Sequence, residues 1–78
     1  MRMVRIEWVD ANGGPQEWEA KGELTPLEPA SCTTVGFLLV DAADYLTVVQ
    51  SVSGDDLMSR LAIPREVIRR VTYLEDGL

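Results

Sequence analysis

The sequence contains no histidine and a single cysteine, Cys32. These gaps exclude an intramolecular disulfide and the usual zinc site of cysteine and histidine ligands. They also remove the most common general base, so nucleophilic attack by Ser31 or Cys32 would need a neighbouring carboxylate or the single lysine, and the sequence places neither there. Cys32 is interpreted as a small buried thiol. The sequence predicts a non-enzymatic protein without catalytic residues, and a small enzyme is the third alternative.

Two acidic pairs are the candidates for a hard cation, Asp41 with Asp44 and Asp55 with Asp56. Each pair offers fewer oxygen ligands than a calcium site needs, and acidic residues are common in turns. We therefore predict no metal site and no cofactor.

Long apolar runs are also missing, since none approaches the roughly 18 residues of a membrane span. No arginine-flanked apolar leader precedes the strand pattern that starts at Met3. Together with the lone cysteine, these absences predict a protein of the reducing cytoplasm with no membrane partner.

Basic residues are few and unevenly placed, and the net charge is -6. This charge opposes general nucleic-acid binding, which depends on lysine and arginine neutralising phosphates. No basic residue lies between Lys21 and Arg60, and four of the seven basic residues are Arg60, Arg65, Arg69 and Arg70. The pattern indicates either solvated charge on two surfaces or head-to-tail pairing of an acidic face with a basic face.

The length of 78 residues allows one domain, expected over residues 1–78. A core of this size rarely supplies more than about 3 to 5 kcal/mol, and small domains gain stability from disulfides, metals or self-association. Because the first two are excluded here, the sequence favours self-association.

Alternation of apolar and polar residues predicts β-strands. Val4, Ile6 and Trp8 alternate with charged residues in the first of them. Trp8 is interpreted as a core residue and Trp18 as a lid residue, because the glutamates around Trp18 oppose a nucleic-acid stacking platform. The strands are expected over residues 3–9, 32–40, 45–51, 57–63 and 68–74.

The remaining segments are expected to be short and irregular. Residues 16–24 favour a short helix, residues 25–31 with their two prolines a connecting arm, and residues 64–67 a single helical turn. Connections of about four residues predict that the last four strands form an antiparallel meander. With the first strand they predict an all-β fold, a five-stranded, strongly bent antiparallel small barrel, open or closed.

Residues 35–40 are apolar on both faces of their strand, apart from Gly36, which indicates a bend or bulge. A strand covered on both sides in so small a domain indicates contact with another subunit. We therefore predict a cyclic homo-oligomer with head-to-tail contacts. Its interface is expected to contain Phe37, Leu39, Arg65, Arg69 and Arg70, with the arginines near a neighbour's carboxylates.

Residues 63–71, Ile-Pro-Arg-Glu-Val-Ile-Arg-Arg-Val, resemble the second motif of Sm-like proteins. Residues 36–41, Gly-Phe-Leu-Leu-Val-Asp, followed by Leu46 and Val48, resemble their first motif, with a loop one residue shorter and no asparagine. The resemblance implies an Sm-like barrel whose subunits pair edge strands into rings and often bind RNA at pore-side loops. In place of the family's arginine and glycine in the RNA-binding turn, this chain has Pro64 and Arg65, so that pocket is not carried over.

The chain also resembles small proteins of phages and prophages, at the following residues: Trp8-Val-Asp10, Trp18, Pro29, Cys32, Val35-Gly36-Phe37, Ile63-Pro-Arg65 and Ile68. This implies the cytoplasm of a bacterial host. The favoured function is a non-enzymatic, self-assembling Sm-like scaffold or protein-binding module of phage or prophage type. The alternative is an RNA-binding Sm-like protein that uses Arg65, Arg69 and Arg70 to contact phosphates.

Overall fold

A computed structural model describes residues 1–74, so the last four residues of the predicted domain lie outside the described part. Five strands are present, as the sequence predicts, and the described residues contain no α-helix. The strands are β1 (Met3–Asp10), β2 (Ala30–Asp41), β3 (Tyr45–Ser53), β4 (Asp56–Pro64) and β5 (Ile68–Tyr73). The single helical turn predicted before the last strand is confirmed as a 3₁₀ turn over Arg65–Val67. The all-β, antiparallel fold class is therefore confirmed.

The short helix expected over residues 16–24 is wrong. Only one 3₁₀ turn forms there, Lys21–Glu23, and no side chain caps it. Isolated helices of this length are marginal unless they pack an apolar face, and every residue of this segment is exposed. The connecting arm expected over residues 25–31 is irregular as far as Pro29, and its last two residues belong to β2. Residues 11–29 therefore form one segment between β1 and β2, irregular except for the 3₁₀ turn.

The strand order is β4-β3-β2-β1-β5, with every neighbouring pair antiparallel. The meander is confirmed for β2, β3 and β4. It is wrong for β5, which crosses to the opposite edge and pairs with β1 through Ile6↔Val71. The chain can make this crossing because the 3₁₀ turn redirects it between the two edge strands.

The short connection between β4 and β5 requires the sheet to curve. In a flat five-stranded sheet the edge strands would lie about 19 Å apart, at a spacing of about 4.8 Å per strand. The four steps from Pro64 to Ile68 span at most about 14 Å. The edges therefore approach each other at this corner, yet no ladder joins β4 to β5 within residues 1–74, so the sheet is curved and open.

The sheet also divides into two hairpins, β1–β2 and β3–β4. They are joined only where the C-terminal part of β2 pairs with the N-terminal part of β3, and this region is called the shared base. The β2–β3 ladder begins at Phe37↔Val49 and covers only the C-terminal part of β2. The N-terminal part of β2 pairs with β1 as far as Asp10↔Ala30, while β3 continues with β4 to its turn. Beyond Phe37 the β1–β2 and β3–β4 hairpins therefore separate, and the molecule extends over 54 Å in its longest dimension.

The core lies on one face of the shared base. The buried side chains of this cluster alternate along their strands, as the period of two requires, while Thr47 and Val49 are buried on the opposite face of β3. The cluster consists of Val4, Ile6, Leu46, Val48 and Ile63, with Trp8, Leu38, Val67, Ile68 and Val71 packed around them. Trp8 is confirmed as a core residue and donates a 2.9 Å hydrogen bond from Nε1 to the Thr34 hydroxyl.

Gly36 allows β2 and β3 to approach closely. A Cβ at this position would lie 3.0 Å from the carbonyl oxygen of Val49 and 3.3 Å from Cβ of Val48. A backbone oxygen cannot rotate away as a side chain can, so the strands themselves would have to separate. The bend or bulge predicted at Gly36 is not found there, because Gly36 pairs with Val4 in regular register and the shift in β2 lies between Leu38 and Val40.

We expect Gly36→Ala to lower the free energy of unfolding by about 1 to 3 kcal/mol, the usual cost of overpacking. Urea unfolding followed by far-UV circular dichroism measures the loss. Gly13→Ala is the control, because no atom lies within 4 Å of its added Cβ. Equal effects of the two substitutions would contradict the close approach at Gly36.

Candidate self-association surfaces

Strand β4 is the exposed, apolar edge of the sheet. It pairs only with β3 in the part of the chain that the structure describes, so the outer row of its backbone groups has no ladder partner. Every residue of β4 except Ile63 is exposed, and three of them are large and apolar. These are Leu57, Met58 and Leu61.

The turn before β4 fixes which backbone groups face the open edge. Ser53 and Asp56 close a two-residue turn in which Gly54 has φ +58, as expected for the first central residue of a type II′ turn. The closing pair of such a turn is hydrogen-bonded, and along the antiparallel ladder hydrogen-bonded and non-hydrogen-bonded residue pairs then alternate. The N–H and C=O groups of Leu57 and Leu61 therefore point to the open edge.

Ser59 interrupts the middle of this edge. Its φ of 64 is the one positive value among the non-glycine residues that the structure describes. A left-handed residue in a strand adds local twist, which is a common feature of sheet edges. The free edge of β4 is thus divided into two short stretches on either side of Ser59.

Strand β5 is the opposite edge and has a different character. Its sequence, Ile-Arg-Arg-Val-Thr-Tyr, directs Ile68 and Val71 toward the core, while Arg69 and Arg70 are exposed. A bulge separates the Glu7↔Arg70 pair from the Trp8↔Ile68 pair. The molecule therefore has one apolar edge and one arginine-rich edge.

The predicted interface residues are not brought together at one edge. Phe37 and Leu39 lie in β2, the middle strand of the sheet, and both are half-buried. The expected cover on both faces of this strand is incomplete, because Val35 is 55% exposed. A role of Phe37 and Leu39 in an interface remains a prediction.

Two of the three predicted arginines have partners within their own chain. Arg65 donates from Nε to the carbonyl oxygen of Ala42 at 2.7 Å, and its guanidinium pairs with Asp41. Nε of Arg70 lies 3.7 Å from Oε2 of Glu7. These carboxylates reduce the positive potential that would attract a phosphate. RNA binding by these arginines likewise remains a prediction.

The segment between β1 and β2, residues 11–29, is here called the arm. Asn12 ties its base by donating from Nδ2 to the carbonyl oxygen of Glu28 at 2.9 Å. Trp18, Leu24 and Leu27 are exposed, and Trp18 is 103% exposed. The interpretation of Trp18 as a lid residue is wrong, because the arm extends away from the core instead of folding over it.

Comparison with known protein families, with curated proteins and with solved structures gives no match. Among the helical segments of residues 1–74, none has the length and apolar character to cross a membrane. Within the same residues, no group of three or more acidic or cysteine side chains is arranged to hold a metal ion.

Proposed function

We propose that this chain is a non-enzymatic, self-assembling scaffold with an Sm-like small-barrel fold, of phage or prophage type, acting in the cytoplasm of a bacterial host. Its copies associate head to tail, the β4 edge of one pairing with the β5 edge of the next. The observation that carries the proposal is the unpaired, apolar edge of β4. The open sheet has two unlike edges, so each copy presents two different binding surfaces, one on β4 and one on β5.

An edge such as β4 is a template for pairing with another strand. Proteins that remain monomeric usually protect an edge with lysines, prolines, inward-pointing charges or a covering element. On β4 such protection is limited to Asp56, Arg60, the terminal Pro64 and the local twist at Ser59, while Leu57, Met58 and Leu61 remain accessible to solvent. Pairing would satisfy the outer backbone groups and shield Leu57 and Leu61, which share one face of β4, from solvent.

The difference between the two edges favours a ring over a twofold dimer. A twofold contact brings the same surface together from both copies, whereas β4 and β5 are different surfaces. The arginines of β5 would then lie beside a neighbour's β4 strand, near carboxylates such as those of Asp55 and Asp56 in and after the β3–β4 turn. Exposed ion pairs contribute only about 0 to 1 kcal/mol each, so they determine the register more than the affinity.

Size-exclusion chromatography with light scattering tests this proposal. The wild-type chain is expected to elute with a mass several times its 8.7 kDa at tens of micromolar. Leu57→Asp places a charge on the β4 edge and should weaken association at least about tenfold, equivalent to 1.4 kcal/mol. A wild-type chain that stays monomeric at these concentrations contradicts the proposal.

Val35→Asp is the matched control, because Val35 is a comparably exposed apolar residue on the central strand β2. It introduces the same charge away from β4 and β5, on the part of β2 that pairs with β1 alone. Circular dichroism of both variants verifies that the sheet is intact. Loss of the oligomer in Val35→Asp but not in Leu57→Asp would move the interface from the β4 edge to β2, where Phe37 and Leu39 lie.

A further inference from the structure

The arm has the composition of a docking element. All residues from 11 to 29 are exposed, and three of them, Trp18, Leu24 and Leu27, are large and apolar. Tryptophan supplies more binding energy than most residues when it fills a pocket on a partner. A tryptophan that is fully exposed in its own fold is therefore a feature of this molecule without a role in the core.

The arm is also acidic, and its charge is matched elsewhere in the chain. It contains four glutamates and one lysine, a net charge of -3. Residues 60–70 contain four arginines and one glutamate, a net charge of +3, and of these arginines Arg60 alone lies on β4, without a salt bridge within residues 1–74. Glu17 and Glu19 stand directly beside Trp18, so a surface that accepts the tryptophan would also receive two carboxylates.

The outer face of β4 offers the matching chemistry. Met58 and Arg60 pair with Ser51 and Val49, two residues apart on β3, so both lie on the same face of the sheet. Met58 is 63% exposed, and Arg60 makes no salt bridge within residues 1–74. A thioether and a guanidinium side by side suit an indole ring, since each interacts favourably with an aromatic face or edge.

The contact is expected between copies rather than within one. In a single chain the β1–β2 and β3–β4 hairpins separate beyond the Phe37↔Val49 pair. Trp18 and Met58 are carried on these two diverging hairpins, and each is exposed in its own fold. In a head-to-tail assembly the arm of one copy is free to reach the outer face of β4 on another.

We propose that the arm docks on the outer face of β4 in a second copy, with Trp18 packed on Met58 and Arg60, and with Glu17 and Glu19 beside that arginine. This inference rests on the proposed self-assembly and adds a second contact to it. Edge pairing uses the backbone of β4, whereas arm docking uses side chains on its outer face. The two contacts can therefore be formed together and tested separately.

Fluorine NMR of the full chain labelled with 5-fluorotryptophan tests the arm. Two resonances are expected, and Trp18→Phe assigns the one that belongs to the arm. With increasing protein concentration the Trp18 resonance should shift and broaden together with the rise in mass seen by light scattering. The Trp8 resonance is the internal control, since that ring is already packed and hydrogen-bonded to Thr34.

Trp18→Ala should weaken self-association at least about tenfold without changing the circular dichroism spectrum. Three outcomes separate the alternatives. An oligomer whose Trp18 resonance stays that of an exposed ring overturns arm docking and leaves the proposed scaffold function intact. A chain that is monomeric throughout overturns the scaffold function itself. If the Trp18 resonance of the dilute monomer already differs from that of a solvent-exposed ring and does not change with concentration, the arm docks within one chain, which also overturns the inference.

A charge exchange tests the polar part of the same contact. The double variant Glu17→Arg, Glu19→Arg and the single variant Arg60→Glu should each weaken association several-fold at low salt. The triple variant that combines them exchanges the two signs and should recover most of the loss. Additive weakening in the triple variant would contradict a contact between Arg60 and the carboxylates around Trp18.

Discussion

Replacing Ile6 by alanine is expected to unfold most of the protein at 25 °C. Ile6 is fully buried at the centre of the core face, between β2 and β5. Truncation of a buried isoleucine to alanine costs about 2 to 5 kcal/mol, from the lost transfer of its methyl and methylene groups and from the cavity that remains. A domain of this size has only about 3 to 5 kcal/mol to lose.

Urea unfolding at a concentration below that of self-association measures this effect, because an oligomer would add its own stability. The midpoint should fall sharply or the cooperative transition should disappear. Val35→Ala is the matched control, since Val35 lies on β2 and is exposed. Its midpoint should change little, and a similar loss in both variants would contradict the placement of the core on one face of the sheet.

Truncation of Trp8 is expected to have the second largest effect, with a loss of about 3 kcal/mol for Trp8→Ala. The indole packs against the core, and its Nε1 group donates to Thr34. Trp8→Phe keeps most of the ring and loses the hydrogen bond, so it should cost about 1 kcal/mol. Both values are obtained from denaturant unfolding with far-UV circular dichroism as the signal.

The second tryptophan supplies the control for the first. Trp18→Ala removes the same side chain from the exposed arm and should leave the free energy of unfolding of the monomer unchanged. The pair of substitutions thus separates a residue that stabilises the fold from one that is available for contact with another molecule. If the two cost the same, the arm is part of the folded core, and both its exposure and the docking inference are wrong.

The strands could be predicted from sequence because their signals are local. Alternation around Ile6 and the apolar residues of β2 and β3 identify each strand within a few residues, and Pro64 marks the turn before β5. The partner of β5 could not be predicted in the same way. A three-residue 3₁₀ turn leads as easily to the neighbouring strand as to the far edge, and pairing with β1 depends on the curvature of the whole sheet.

The same limit applies to the candidate surfaces. The identity of the edge strands follows from the position of β5, so the exposure of Leu57 and Met58 could not be recognised from the sequence. The arginine cluster was visible, but the partners of Arg65 and Arg70 are Asp41 and Glu7, which are distant in sequence. The helix expected in the arm failed because no surface of the fold was available for it to pack against.

The pairing of β1 with β5 also has a consequence for folding kinetics. The first and last strands are neighbours, so the ladder between Ile6 and Val71 closes a loop that includes nearly the whole chain. Folds dominated by such distant pairings reach the native state in about milliseconds to seconds, far more slowly than helical bundles. During synthesis, β1 can pair with β2 early, but its other side stays open until β5 has left the ribosome. The nascent chain therefore has an additional unpaired strand edge that the finished protein does not expose.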